Sequence, residues 1–401
     1  MIELNGKLDT FKEKFDRDLS IEIHIAQTEK KELDNLMRIL GENRLSLRKP
    51  CMEGTRTAIL QKIESDIKNI NSHSVIWIRG SPGVGKSALA ASIAARLRKQ
   101  DRHVISFRFD CTQSATITTD ALWCAVALDL ARLYPSVRQH IHKMVQGNVL
   151  PDQYDIDDRF KSLIETPLST LNDVAPDDFP VIVVDALDEC GGLRYDSSGR
   201  DDFEGLMRTL KRWIQADHLV KLKLVITSRR ENRITKILPE SITIHVDIPS
   251  GRDVNPGDSA SEDIRTFLKS RLESMGMKGA LIEKALDYLL PRAAGIFIWA
   301  TTVANFLEWD PEGRFTMLEK GHGKGLKSFD SLYSLYSTIV KASFGHGLEK
   351  EEIKAVVSIM GAMIFAKQPF NDDALIMLPE VKISGSDADR LGLLRRSHVG
   401  H

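Results

Sequence analysis

Eight consecutive residues, Gly80-Ser81-Pro82-Gly83-Val84-Gly85-Lys86-Ser87, fill every fixed position of the pattern G-x-x-x-x-G-K-[S/T]. The context is as informative as the match. An apolar β-type run, Val75 to Ile78, leads in. A helical pattern leads out, with Leu89, Ile93 and Leu97 on one stripe and Ala90, Ala94 and Ala95 beside it. Strand, glycine loop and helix in that order commit the chain to layered α/β structure. They also make a cradle for phosphate. Glycines let the backbone approach an anion, and successive N–H groups at a helix N-terminus then face it. Lys86 supplies a point charge for the β- and γ-phosphates, and the Ser87 hydroxyl is a ligand suited to Mg²⁺. The binding stretch is read as Gly80 through Ala88. A plain glycine turn is the competing reading, and a full match at such a junction rarely arises by chance.

A second run, Val181-Ile182-Val183-Val184, ends in Asp185-Ala186-Leu187-Asp188-Glu189. In a parallel sheet a strand delivers its C-terminal end to the ligand crevice. Asp185 is therefore read as the Mg²⁺ carboxylate, acting through water, and Asp188 and Glu189 as groups able to orient or deprotonate an attacking water. The sequence does not say which of the two is the base. A third run, Leu224-Val225-Ile226, ends in Thr227-Ser228-Arg229-Arg230. Thr227 or Ser228 is read as a hydrogen-bond donor to the γ-phosphate or the water. Arg229 is read as stabilising charge on the transferring phosphoryl group, against the blander reading of a solvated arginine pair. Val104 to Phe109 and Ile242 to Val246 complete five short β-type runs separated by helices. That spacing predicts a parallel sheet with helices on both faces.

Around this core, residues 1–48 predict a helical arm. Leu8, Phe11, Phe15 and Leu19 form one stripe and Leu33, Leu36, Met37 and Leu40 another, while Ile21, Ile23 and Ile25 between them alternate like a strand. Packing against the chain's own core is the first reading, and a surface for a protein partner the second. Residues 49–249 make the nucleotide core. A Gly-, Pro- and Asp-rich linker opens a helical domain at 250–320, and 321–401 follows with helix patterns near 332–339 and 353–365. The 55 basic and 56 acidic side chains nearly cancel, which argues against broad capture of nucleic acid or anionic membrane. The N-terminus lacks the apolar core of a secretory signal. The longest apolar stretch, Ala293 to Leu307, carries Thr301, Thr302 and Asn305 and is shorter than the roughly 20 residues needed to cross a bilayer. Cys51, Cys111, Cys124 and Cys190 are far apart and form no CxxC, so they read as reduced thiols of a cytoplasmic protein. Histidines such as His73, His140 and His142 show no metal-ligand spacing.

In their order, these motifs resemble the NACHT family of STAND NTPases, particularly the nephrocystin-type NTPase domains of fungi, over roughly residues 50 to 375. Cys51-Met52-Glu53-Gly54-Thr55-Arg56 is similar to the segment that precedes the P-loop in that family and approaches the nucleotide from the N-terminal side. Gly80 to Ser87 matches its Walker A, Asp185 to Glu189 its extended Walker B, and Thr227-Ser228-Arg229 its sensor 1. Ala293 to Ala300 resembles its helical-domain motif, and Phe365 to Phe370 the start of its winged helix. Where related switches carry G-x-P, this chain has Gly295-Ile296-Phe297, so a proline contact to nucleotide is not carried over. The resemblance implies ATP over GTP, an ATP/ADP and Mg²⁺ cofactor set, slow hydrolysis, a signalling switch, self-association and a partial winged helix over 321–401. Family members usually continue into WD40, ankyrin or TPR repeats. None is visible here, so a short or truncated form is expected. Other readings are a turnover ATPase acting on a macromolecule, a small-molecule kinase and an inert scaffold.

Overall fold

A computed structural model describes residues 2–321 except 70, 154, 170, 172–178, 193–196, 217–221, 252–253 and 255–256, together with 334–336 and 338–339. The partial winged helix expected over 321–401 lies almost wholly outside the described residues.

The elements alternate as the apolar runs predict. Helix α1 (Ile2–Leu40) leads to α2 (Thr57–Lys68), β1 (Val75–Gly80), α3 (Lys86–Lys99) and β2 (Val104–Arg108). Then come α4 (Thr119–Leu133), α5 (Pro135–Gln146), α6 (Ile156–Phe160), α7 (Thr166–Ser169) and β3 (Val181–Asp185). The order continues with α8 (Ser197–Gln215), β4 (Lys223–Ser228), α9 (Asn232–Ile237) and β5 (Ile244–Ile248). Helices α10 (Ser259–Ser274), α11 (Ala280–Ala293), α12 (Phe297–Leu307) and α13 (Pro311–Gly321) close the described chain.

The five strands form one sheet in the order β2-β3-β4-β1-β5. The pairs β2 with β3, β3 with β4 and β4 with β1 are parallel, and Trp77, Ile226 and Val184 lie in register across the middle. Every residue of β3 and β4 is buried, as are Val75 to Arg79 of β1. A strand buried on both faces cannot alternate apolar and polar side chains, which is why these segments read as unbroken Val/Ile/Leu runs. In a parallel sheet the C-terminal ends share one edge. Arg79 and Ser228 pair there, and Asp185 follows Val184 one position beyond the Val184–Ile226 pair. The strand edges differ slightly from the sequence pattern. The fifth strand begins at Ile244 rather than at Ile242, whose side chain is exposed.

By compactness the chain divides into two units. The first comprises Met1–Pro50, Gln61–Arg79 and Ala90–Val246. Its core joins the sheet to α4, a helix buried nearly all round, where Trp123 packs on Phe160 and stacks on Trp213 at a centroid distance of 5.9 Å. Thr118 starts α4 by accepting the Ala121 N–H at 3.2 Å. In the same unit, Leu33, Leu36, Met37 and Leu40 of α1 pack on the core, as a packing arm would. Residues 21–25 are helical, not extended. Ile21, Ile23 and Ile25 are exposed, so their alternation does not reflect a half-buried strand. Phe15 and Leu19 are also exposed.

The second unit comprises Cys51–Leu60, Gly80–Leu89 and the chain from Asp247 on. Its core is a helical cluster built from Leu268, Leu286, Leu289, Trp299, Val303, Leu307 and Phe315. The turn from α11 to α12 is made by Ala294 (φ 45°) and Gly295 (φ 78°). A Cβ on Gly295 would lie 2.7 Å from Val254 Cγ2 and 3.1 Å from the Pro249 carbonyl, so this turn requires glycine for space as well as for its dihedral. No helix among the described residues is long and apolar enough to cross a membrane.

Candidate nucleotide site

The glycine loop Gly80–Gly85 joins β1 to α3, with Lys86, Ser87 and Ala88 on the first turn of that helix. Gly83 and Gly85 have φ of 77° and 94°, the region open to glycine. The Lys86 ammonium donates to the carbonyls of Gly80 (2.8 Å) and Ser81 (3.0 Å) and so folds back over the loop that precedes it. The Ser81 hydroxyl accepts from Ser250 Oγ at 2.9 Å. Pro82 is exposed and Val84 fully buried.

Two further groups of the same unit grip the loop. The amide of Ile298, in the first turn of α12, donates to the Gly83 carbonyl at 2.9 Å. A guanidinium nitrogen of Arg56 donates to the Val84 carbonyl at 3.0 Å. Arg56 is almost wholly buried and sits at φ 58°, just ahead of α2. Its backbone N–H donates to Asp263 Oδ1 at 2.8 Å, and its guanidinium lies over the Phe297 ring at 4.9 Å. Burial pulls the Arg56 pKa down from its ordinary value, and the Asp263 charge opposes that. Burial correspondingly raises Asp263, against the bond and charge of Arg56.

In the sheet unit, Asp185 is fully buried at the end of β3. Thr227, also fully buried, donates its hydroxyl hydrogen to Asp185 Oδ1 and accepts the Ala186 N–H at 2.9 Å. That bond fixes Ala186 in the left-handed region (φ 57°, ψ 48°), where a small side chain costs least. The short 3₁₀ turn Leu187–Glu189 then separates the two remaining acids. Asp188 turns to Arg229, accepting its backbone N–H at 3.0 Å and its Nε at 3.1 Å. Glu189 turns the other way and accepts the Cys111 N–H at 3.2 Å. Burial raises the Glu189 carboxyl above its ordinary value. The Cys111 bond opposes that rise, and the charges of Asp188, Asp110 and Asp185 add to it.

Several of these contacts depart from what the motifs suggest. The Thr227 hydroxyl is committed to Asp185 and Ala186. Ser228 Oγ accepts from Trp77 Nε1 at 2.7 Å and donates to the Arg229 carbonyl at 2.8 Å. At zero exposure, neither hydroxyl faces solvent. Arg229 is half-exposed, as a solvated arginine would be, yet is tied to Asp188. Sequence reading missed Cys111, Asp110, Asp263 and the Ile298 amide. Asp110 and Cys111 follow β2, and only knowledge that β2 lies beside β3 would have brought them to Glu189. Their ligand atoms and that of Glu189 lie within 4.8 Å of one another.

Residues 54–229 match the family model described as Nephrocystin 3, N-terminal. The matched stretch opens at the turn before Arg56 and closes on Arg229, so it contains the glycine loop and both strand-end motifs. The chain is also 26% identical over 330 residues to the vegetative incompatibility protein HET-E-1 of Podospora anserina. The chain is similar to NACHT-type P-loop NTPases. The alignment with HET-E-1 takes in 78% of this NTPase and only 22% of that protein's length. Among solved structures, the NTPase is similar to the Walker-type ATPase of Pyrococcus abyssi at 14% identity and a TM-score of 0.41, covering 88% of this chain and 91% of that one. It is similar also to the AMPPCP-bound DnaA of Aquifex aeolicus at 13% identity and a TM-score of 0.33, covering 86% and 89%.

Proposed function

We propose that this NTPase is an ATP/ADP-dependent signalling switch that requires Mg²⁺ and hydrolyses ATP slowly. One observation carries the reading. The carbonyls of Gly83 and Val84 are bonded to α12 and to Arg56, so the phosphate loop and the helical cluster share hydrogen bonds. A loop held by helices in this way cannot rearrange around a γ-phosphate without those helices responding.

In this reading, the amides of Gly80 to Ala88 and the Lys86 ammonium hold the phosphates. The Ser87 hydroxyl and the Asp185 carboxylate are hard oxygen donors of the kind Mg²⁺ prefers, and they are the proposed ligands. The ion, when bound, would offset the charge that develops on the phosphoryl oxygens. Glu189 is the proposed base, because Asp188 is occupied by two donors from Arg229. Arg229, half-exposed, is the group proposed to meet transition-state charge with its terminal guanidinium nitrogens while its Nε stays on Asp188. Self-association, and a protein partner at the exposed part of α1, belong to the same proposal.

The test is hydrogen exchange of the intact chain with ADP–Mg²⁺ and with a non-hydrolysable ATP analogue. Protection in α10 and α12 should differ between the two nucleotides. Identical protection there, together with rapid steady-state turnover, would favour an ordinary turnover ATPase and defeat the switch reading.

A further inference from the structure

The two groups that grip the phosphate loop do so at consecutive peptide units. The Gly83 carbonyl is held by the Ile298 amide at 2.9 Å and the Val84 carbonyl by Arg56 at 3.0 Å. No peptide bond of the described chain is cis. In a planar trans peptide the C=O and the N–H of the same unit point in opposite directions. Fixing the Gly83 carbonyl toward α12 therefore fixes the Val84 N–H away from it. Fixing the Val84 carbonyl toward Arg56 likewise fixes the Gly85 N–H away from the guanidinium.

We infer that Arg56 and the Ile298 amide are positioning groups for the phosphate site. They keep the carbonyls of Gly83 and Val84 on one face of the loop, so that the Val84 and Gly85 amides are presented on the other to the diphosphate of a nucleotide. The inference rests on the nucleotide reading above and adds to it the residues that set phosphate affinity without touching phosphate.

The contacts around Arg56 suit that task. Without its outside donor, the 84–85 peptide could rotate and turn its carbonyl toward the anion, replacing an attraction with a repulsion. Arg56 is itself held from three directions: its N–H by Asp263, its ring-facing side by Phe297, and its guanidinium by the Asp263 carboxylate at 3.7 Å. The loop is therefore oriented by α10 and α12 together. Gly83 closes the arrangement. A Cβ there would lie 2.4 Å from Ile298 Cγ2, so only glycine lets the loop come close enough to take the α12 amide. By reciprocity, phosphate binding strengthens the same grip it depends on.

The experiment uses the full chain with ADP and inorganic pyrophosphate as probes, read by calorimetry and by the amide proton shifts of Val84 and Gly85. A hydrogen bond to phosphate moves an amide proton downfield, so in the wild type both should move. Arg56→Met should weaken ADP and pyrophosphate alike, by about 10-fold or more, and abolish the Gly85 shift while sparing that of Val84. Ile298→Pro removes the other donor at a first-turn position where proline is tolerated, and should abolish the Val84 shift while sparing that of Gly85. Arg56→Lys, which keeps a cationic donor, should recover most of the affinity. Unchanged affinity and shifts in both variants would overturn the inference. So would a loss confined to ADP with pyrophosphate unaffected, or loss of both shifts together in each variant. If the wild type itself fails to bind ADP, the nucleotide reading fails instead, and the two outcomes are distinct.

Discussion

Replacing Thr227 by valine removes one hydroxyl from the end of β4 and leaves the side-chain volume almost unchanged. The hydroxyl has two duties in the structure: it donates to a buried carboxylate oxygen of Asp185 and accepts the N–H of left-handed Ala186. A hydrogen bond to a charged group contributes about 1.5–3 kcal/mol net and a neutral one about 0.5–1.5 kcal/mol. Losing both would cost about 2–4.5 kcal/mol. The added valine methyl is buried and returns up to ~0.8 kcal/mol, although beside a carboxylate it recovers less. The expected net loss is therefore about 1.2–4.5 kcal/mol, a large fraction of a typical domain's stability. Urea denaturation followed by the fluorescence of the buried Trp77, Trp123 and Trp213 reads this quantity for the sheet unit. Thr227→Ser keeps both hydrogen bonds and loses only a methyl, so it should cost about 0.5–1.5 kcal/mol. A valine variant within ~1 kcal/mol of wild type, or a serine variant as damaged as the valine one, would refute the reasoning. Either result would mean that the Asp185–Thr227–Ala186 arrangement is set by packing rather than by the hydroxyl.

Two further outcomes follow from the strand-end acids. Glu189→Gln should retain ATP binding and lose hydrolysis by about 100-fold or more in a single-turnover assay, whereas Asp188→Asn should lose less. Because burial raises the Glu189 carboxyl above 4.5, the folded protein holds that proton more tightly than the unfolded chain does. The stabilisation is thus complete below 4.5 and is lost as pH rises through the raised value. Relative to wild type, Glu189→Gln should therefore gain stability between pH 4 and pH 7 in parallel urea melts. A constant difference across that range would count against the assignment.

Much of the core was legible because its signals are local. The glycine loop carries its pattern in eight adjacent residues, and fully buried strands such as Val181–Asp185 announce themselves as unbroken β-branched runs. What the sequence could not show depends on which strands are neighbours. Glu189 meets Cys111 only because β2 lies beside β3, and Asp188 meets Arg229 only because β4 lies on the other side. Hence the sequence alone left the choice between the two acids open. The alternation of Ile21, Ile23 and Ile25 misled for a related reason. Periodicity reports a buried face only where a partner exists to bury it, and these three side chains have none among the described residues.

Helix α1 spans 39 residues but is fastened near one end. Buried Arg138 of α5 pairs with Glu29 and Glu32, and from there to Leu40 the helix lies on the core. At 1.5 Å per residue, the stretch before Glu29 extends roughly 40 Å. The ion pairs with Arg138 stand at the foot of that stretch. A load taken up near Phe15 or Leu19 would be passed first to them and then to the apolar contacts of Leu33 to Leu40, so salt or a charge reversal at Glu29 would change how stiffly the arm is held.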